Sequence, residues 1–258
     1  MLGLALEGGA ARGAYHIGVV KALMENGYEF DGFVGTSIGA INAAMLAQGD
    51  MDVALEVWRN ITMEQIFDVE EQHILDVIEH GELWFNKEYH GKLRRAALKV
   101  IKGGGVDTAK IEALLSKYID ERKLRDSGKD FGLVTVAANR LKPYELMLDD
   151  IPQGELVDFV MASASIPGFR PKVIDEKKFL DGGIYNNCPV NLLLRNGYDR
   201  IIAIRTMAPG IVRKLDSEEN VTVISPSVNL GNIMLFTQKN CEAGMAAGYN
   251  DGLRAQVL

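Results

Sequence analysis

The stretch Phe33-Val34-Gly35-Thr36-Ser37-Ile38-Gly39 decides how this chain is expected to fold. A short apolar run enters a glycine turn, and small residues then recur at helical spacing, at Ala40, Ala43, Ala44 and Ala47. A strand that passes through such a turn into a helix is a nucleophile elbow, in which flanking glycines avoid clashes and leave a serine hydroxyl exposed. The pattern predicts that Ser37 is a nucleophile and that Gly35 and Gly39 are required by the turn.

A second glycine-rich turn, residues 8–13 (Gly-Gly-Ala-Ala-Arg-Gly), lies between an apolar run at 2–6 and a helical pattern from Ala14 to about Asn26. Backbone N–H groups in such a turn either stabilise a reaction oxyanion or bind a dinucleotide pyrophosphate. The dinucleotide fingerprint needs glycine where this chain has Ala10, although Asp31 is available as its acidic residue. We therefore favour an oxyanion site at Gly8, Gly9 and Ala10, with a nucleotide site and a plain turn as alternatives.

Two further residues of this turn have a predicted supporting role. Arg12 is interpreted as a support for the loop or a ligand for a lipid phosphate, with a surface ion pair as the alternative. Gly13 belongs to the same motif and is given a supporting role with it.

The serine needs a base, because a free hydroxyl is a poor nucleophile at neutral pH. The histidines, at positions 16, 73, 80 and 90, all lie in the first part of the chain, so a triad in the order Ser, Asp, His is impossible. Asp181 is the best candidate for a carboxylate that acts directly on the serine, since Gly182 and Gly183 let the backbone after it pass close to another loop. Asp149 and Asp150 are rivals in an acidic turn.

The order strand, turn, helix, strand, turn, helix at the start predicts a parallel sheet with right-handed crossovers. Residues 52–126 have mostly helical patterns, broken at 81 and 103–105, and are interpreted as a helical insertion. Further strands are predicted at 131–137, 144–148, 172–174, 201–205 and 221–224, with helices at 155–163 and at the end of the chain. The prediction is one α/β domain over 1–258, with three layers around a mainly parallel sheet.

Composition sets the class of protein. Of the 258 residues, 47% are hydrophobic and 24% are charged, as in globular domains with a sizeable core. A net charge of −7 argues against nucleic-acid binding. No apolar run approaches the roughly 18 residues of a membrane span. Cys188 and Cys241 are expected to be buried thiols of a cytoplasmic protein, and no ligand spacing for a metal is present.

A basic amphipathic segment is the one sequence feature that favours contact with a membrane. Its cations alternate with apolar residues over 92–102, at Lys92, Arg94, Arg95, Lys99 and Lys102. Such a helix is expected either to rest transiently on anionic lipid or to form a solvated face.

Four motifs, at 8–13, 35–39, 162–167 (Ala-Ser-Ala-Ser-Ile-Pro) and 181–183, follow the order and spacing of the patatin-like phospholipases. The chain resembles that family over nearly its whole length, except that Ala10 replaces a usual third glycine. The resemblance implies a Ser37–Asp181 dyad, an oxyanion site at 8–10, a lipid or fatty-acyl ester substrate, and no cofactor. An acyltransferase with the same dyad and a silent adaptor remain alternatives. The corner at 162–171 is interpreted as a rigid turn or a wall of the acyl pocket.

Overall fold

The computed structural model describes residues 1–66, 105–166 and 168–255. The chain begins with a strand, a helix, a second strand and a second helix, as the sequence predicts. These are β1 (Leu2–Leu6), α1 (Ala14–Glu25), β2 (Gly32–Thr36) and α2 (Ile38–Ala47). The two glycine turns therefore stand where strands pass into helices, which is the position that their proposed chemistry requires.

The described parts of the predicted insertion are helical. They form α3 (Met51–Asn60), α4 (Met63–Ile66), α5 (Ala109–Tyr118) and α6 (Glu121–Asp126). The basic segment at 92–102, the histidines at 73, 80 and 90, the predicted break at 81 and most of the one at 103–105 lie outside the described residues.

The second half of the chain adds six strands and three helices in the described range. The strands are β3 (Asp130–Ala137), β4 (Lys142–Met147), β5 (Lys172–Ile174), β6 (Lys177–Asp181), β7 (Arg200–Ile204) and β8 (Val221–Ile224). The helices are α7 (Leu156–Ser163), α8 (Val190–Arg195) and α9 (Gln238–Arg254). The predicted elements are thus found within one or two residues of their expected bounds.

The eight strands of the described residues form one mixed sheet in the order β5-β6-β3-β2-β1-β7-β8, with β4 beside β3. The pairs β3–β2, β2–β1, β1–β7 and β7–β8 are parallel. The pairs β3–β4, β3–β6 and β5–β6 are antiparallel. The central strands are buried on both faces because helices cover both. Leu4 and Leu6 pack with α1 and α2 on one face, while Ala5 packs against α8 on the other.

The register along β3 determines where two strands end. β2 pairs with β3 up to Thr36, which lies opposite Val134. β6 arrives from the opposite direction and pairs its last residue, Asp181, with Thr135. Because β4 occupies the other edge of β3, β2 and β6 share one edge and meet end to end. Residues 37 and 181 are therefore brought together by strand pairing.

Two smaller predictions concern burial and membrane spans. Cys188 and Cys241 are buried free thiols, as expected. Within the described ranges, no helix has the length and apolar character needed to cross a bilayer.

Candidate active site

Ser37 has the geometry of a nucleophile elbow. Its backbone lies at φ 57° and ψ −128°, between the end of β2 and the start of α2. A non-glycine residue at positive φ is strained and has to be held by its surroundings. The flanking glycines are required by contact, because a Cβ on Gly35 would overlap the backbone of Gly39, and one on Gly39 would overlap the carbonyl of Leu6.

Asp181 closes the same site from the end of β6. Its N–H donates to the carbonyl oxygen of Ser165 at 2.9 Å, and its Oδ1 accepts the N–H of Gly183 at 2.7 Å. The chain then crosses β3 so closely that a Cβ on Gly182 would overlap the Val134 carbonyl. The close backbone passage expected from the Asp-Gly-Gly sequence is therefore present.

Burial raises the pKa of Asp181 to about 6. Hydrogen bonding from Ser37 and from the N–H of Gly183 offsets part of this rise. Asp181 Oδ2 is buried and has no hydrogen-bond partner among the described residues. Catalytic hydrogen bonds are often long before substrate binds, and the free Oδ2 lone pair remains available to a proton.

The glycine turn after β1 offers two backbone donors rather than three. The N–H of Gly8 is engaged by the carbonyl of Asn187 at 2.9 Å, and that of Ala11 by Ile233 at 2.8 Å. The N–H groups of Gly9 and Ala10 make no hydrogen bond within the described part of the chain. The candidate oxyanion donors therefore narrow from Gly8, Gly9 and Ala10 to the last two.

The backbone of Ala10 adopts a conformation that is more costly for alanine than for glycine. Its φ of 48° lies in the left-handed region, where a Cβ crowds the backbone. The turn nevertheless keeps this conformation, and Ala10 lines the cleft beside Ser37.

The buried carboxylate of Glu7 helps to hold this turn in place. Glu7 Oε2 accepts the N–H groups of Thr206 at 2.6 Å and Met207 at 2.9 Å. Its Oε1 lies 2.9 Å from Arg205 Nη2, a contact that is an ion pair rather than an aligned hydrogen bond. The Thr206 hydroxyl in turn donates to the carbonyl of Gly8 at 2.5 Å, so the end of β7 fixes the start of the turn.

Arg12 supports the same loop, which is one of its predicted roles. Its guanidinium donates to the carbonyls of Thr206 at 3.2 Å, Met207 at 2.9 Å and Gly231 at 2.9 Å. Gly13 leaves room for Ile38, since a Cβ there would lie 2.5 Å from the isoleucine Cγ1.

Ser37, Asp181, Gly9 and Ala10 line one cleft of about 620 Å³, within the usual range of small-molecule sites. Beside it, Ser37 also lines an apolar cavity with Ile38, Ile41, Ile66, Ile111, Ala164, Ile166, Phe169 and Phe236. The presence of residues 164, 166 and 169 supports the interpretation of the 162–171 corner as a pocket wall. Pro167 lies outside the described residues.

The described histidine does not take part in this site. His16 is completely buried on α1, where its Nδ1 lies 3.2 Å from Asn42 Nδ2, and burial lowers its pKa to about 3. The rival Asp150 is exposed and accepts the N–H of Met147 at 3.0 Å, away from the cleft.

Three residues that shape the site have no role predicted from the sequence. Ser163 and Ser165 each bond to one member of the Ser37–Asp181 pair. Asn187 lines the cleft next to Gly8 and Gly183. The Ala-Ser-Ala-Ser and Asn-Asn sequences were visible signals, but nothing local shows which backbone groups they contact.

The fold and the site define a class: a three-layer α/β protein in which a serine elbow and a buried carboxylate meet at one end of a mixed sheet. The chain belongs to the patatin-like phospholipase family, whose model matches residues 4–194. It is 29% identical over 214 residues to the neuropathy target esterase sws of Drosophila melanogaster, a match that covers 79% of this chain and 13% of that protein.

Other relatives extend the comparison. An uncharacterized NTE family protein of Mycobacterium bovis is 28% identical over 229 residues, covering 85% of this chain and 52% of that protein. The chain thus spans between about one eighth and one half of these relatives' lengths. The crystal structure of VipD from Legionella pneumophila aligns with a TM-score of 0.59 at 17% identity, over 98% of this chain and 66% of that one. This likeness concerns the fold.

Proposed function

We propose that this chain is a serine acyl hydrolase that cleaves carboxylic esters of lipids through Ser37 and Asp181. The observation that carries the proposal is their meeting in one cleft beside two unengaged backbone N–H groups, those of Gly9 and Ala10. Nucleophile, base and oxyanion donors are the minimum set for acyl transfer.

The proposed reaction has two steps. Ser37 Oγ bonds to the ester carbonyl carbon while its proton passes to Asp181 Oδ2, and the N–H groups of Gly9 and Ala10 stabilise the oxyanion. The alcohol leaves with that proton, and the acyl group remains on the serine. Asp181 then takes a proton from water as that water attacks the acyl-enzyme, and returns it to Ser37 Oγ as the bond to the serine breaks and the acid is released.

The protonation state of Asp181 fits this role. With a pKa of about 6, the group is mostly a carboxylate at neutral pH, yet it is a stronger base than an exposed aspartate. Gly183 holds Oδ1 and leaves Oδ2 to accept the serine proton.

The apolar cavity beside Ser37 supports a fatty-acyl group as the acid half of the substrate. A second apolar cavity shares four of its lining residues, Ile38, Ile41, Ile66 and Ile111. This second cavity is also lined by Trp58 and Tyr118. A chain esterified to Ser37 would enter these cavities and bury its methylene groups there.

The mouth of the cleft supports contact with a lipid surface. Met207, Ile211 and Val212 are 57%, 53% and 39% exposed, and Ile211 borders the cleft itself. Arg213 follows them, with its guanidinium 4.5 Å from the ring centre of Tyr185. Apolar residues beside a cation are suited to a phospholipid interface, so we place transient membrane contact at this rim.

Activity-based labelling tests the proposal directly. A fluorophosphonate probe should label the wild-type protein and fail to label Ser37→Ala. Both Ser37→Ala and Asp181→Asn should lose hydrolysis of a chromogenic octanoyl ester. Ser217→Ala and Asp150→Asn, which alter exposed residues outside the cleft, are matched controls and should keep full activity.

Three results would decide against the proposal or modify it. Absence of labelling and hydrolysis in the wild-type protein would favour a silent adaptor. Labelling that persists in Ser37→Ala would place the nucleophile elsewhere. Transfer of the acyl group to an added alcohol in preference to water would identify an acyltransferase with the same dyad.

A further inference from the structure

Asn187 places a side chain of unassigned function in the wall of the cleft. It is only 2% exposed, and it borders the cleft that contains Ser37 and Asp181. Its Nδ2 is buried and has no hydrogen-bond partner among the described residues. A buried amide donor without a partner is unfavourable unless another molecule supplies an acceptor.

The backbone of Asn187 fixes the position of this amide. Its N–H donates to the carbonyl of Ile211 at 2.6 Å, and its carbonyl accepts the N–H of Gly8 at 2.9 Å. The residue therefore joins the glycine turn after β1 to the loop after β7. Both contacts hold the Asn187 backbone at the wall of the cleft.

Glycines from three loops make room for the carboxamide. A Cβ on Gly8 would overlap Asn187 Oδ1, and one on Gly183 would lie 2.7 Å from the same atom. A Cβ on Gly210 would lie 2.7 Å from Nδ2. The hypothetical Cβ of Gly8 is also 3.2 Å from Ser37 Cβ, so the amide and the nucleophile flank the same glycine.

The lining of the two pockets places Asn187 beside the alcohol half of an ester rather than beside its acyl half. The apolar cavity that suits the acyl chain is lined by Ile38, Ile111 and their neighbours, and Asn187 is not among them. Asn187 instead faces the part of the cleft bordered by Ala208 and Gly210. With the acyl chain in the apolar cavity, the alcohol half of the ester occupies this side.

We propose that the carboxamide of Asn187 binds the alcohol half of the substrate, donating a hydrogen bond from Nδ2 to an oxygen near the scissile ester. This inference rests on the proposed function and adds a preference to it. An alcohol that carries further oxygen acceptors, such as glycerol, satisfies the buried donor. A plain alkyl alcohol leaves it unpaired, and discrimination by an unpaired buried polar group is strong.

Two esters with the same acid and the same number of alcohol carbons test this preference. For wild-type protein, kcat/KM should be higher for 1-octanoylglycerol than for propyl octanoate. Asn187→Ala should lower kcat/KM for the glycerol ester about tenfold, the factor expected for one net hydrogen bond. The propyl ester should change less than about twofold, because it makes no such bond. Asn187→Ser, which keeps a short donor, should restore part of the preference.

Asn186→Ala is the matched control. This neighbouring asparagine is equally buried, but its Nδ2 lies 3.3 Å from Glu145 and it does not border the cleft. It should leave the ratio between the two esters unchanged. An equal loss on both esters in Asn187→Ala and Asn187→Ser, or loss of the native fold in both, would show a purely structural residue and overturn the inference. Wild-type protein that cleaves neither ester would instead reject the proposed function, and the inference with it.

Discussion

Ser163 Oγ accepts the N–H of Ser37 at 2.9 Å and donates its own hydrogen to the carbonyl of Val134 at 2.7 Å. One hydroxyl thus ties the strained elbow to β3, and both serines are buried. An elbow at positive φ persists only when its surroundings hold it. Ser163 supplies that restraint from the last residue of α7, a helix outside the elbow.

Removal of this tie should weaken both stability and catalysis. Ser163→Ala leaves the N–H of Ser37 and the carbonyl of Val134 without partners, at a cost of about 1–3 kcal/mol in the free energy of unfolding. We expect kcat to fall more than KM changes, because Ser163 does not border the acyl cavity. Urea unfolding and steady-state kinetics measure the two effects. Ser127→Ala, which removes a similar hydroxyl bond to Leu124 far from the cleft, should leave kcat intact. Normal kcat in Ser163→Ala would contradict the proposed restraint.

Activity should depend on pH through Asp181. Only the carboxylate accepts the serine proton, and its pKa is raised to about 6. We therefore expect kcat/KM for an uncharged ester to fall about tenfold per pH unit below 6 and to reach a plateau above it. Circular dichroism at each pH separates this loss from unfolding. A fall in kcat/KM with its midpoint near pH 4 would mean that the Asp181 carboxyl is not desolvated as in the structure.

The same burial makes the charged Asp181 costly for the fold. The folded-state pKa of about 6 exceeds the ordinary 3.8, so the folded state favours the protonated form, and stability is lost as pH rises through 6. A shift of two units corresponds to about 3 kcal/mol, so Asp181→Asn should raise the free energy of unfolding by up to that amount at pH 8. Near pH 3, where the wild-type group is protonated in both states, the gain should disappear.

Urea titrations at pH 8 and pH 3 measure this difference. The exposed Asp150→Asn is the control and should give no gain that depends on pH. A destabilised Asp181→Asn at pH 8 would show that the carboxylate contributes contacts worth more than its desolvation.

Chain-length preference should depend on Ile111, which borders both apolar cavities. Ile111→Phe places a larger side chain in the wall shared by both cavities, so hydrolysis of long-chain esters should fall about tenfold or more while butanoyl esters change little. A series of p-nitrophenyl esters gives the profile. Ser116→Phe places the same ring on the exposed face of α5 and should leave the profile unchanged. An unchanged profile in Ile111→Phe would remove these cavities as the acyl site.

Local sequence determined the individual parts of this protein. The apolar run of β2, the glycines around Ser37 and the small residues of α2 specify an elbow because turn geometry and helix packing act over a few residues. Those strands and helices of the second half for which bounds were predicted were also found close to them, for the same reason. Gly182 and Gly183 also predicted that the backbone after Asp181 passes close to another segment.

Tertiary structure decided how these parts meet. Asp181 faces Ser37 because β6 runs antiparallel and takes the place beside β3 where β2 ends, at the rung after Thr36. That register depends on the pairing of Thr36 with Val134, 98 residues apart, and of Thr135 with Asp181, 46 residues apart, and no local pattern encodes it. Two hydrogen bonds likewise join segments that are distant in sequence. The N–H of Gly8 donates to the carbonyl of Asn187, and the N–H of Ser37 donates to Ser163 Oγ. The residue types determine the chemistry of the site, whereas strand pairing in the sheet determines the distances between its residues.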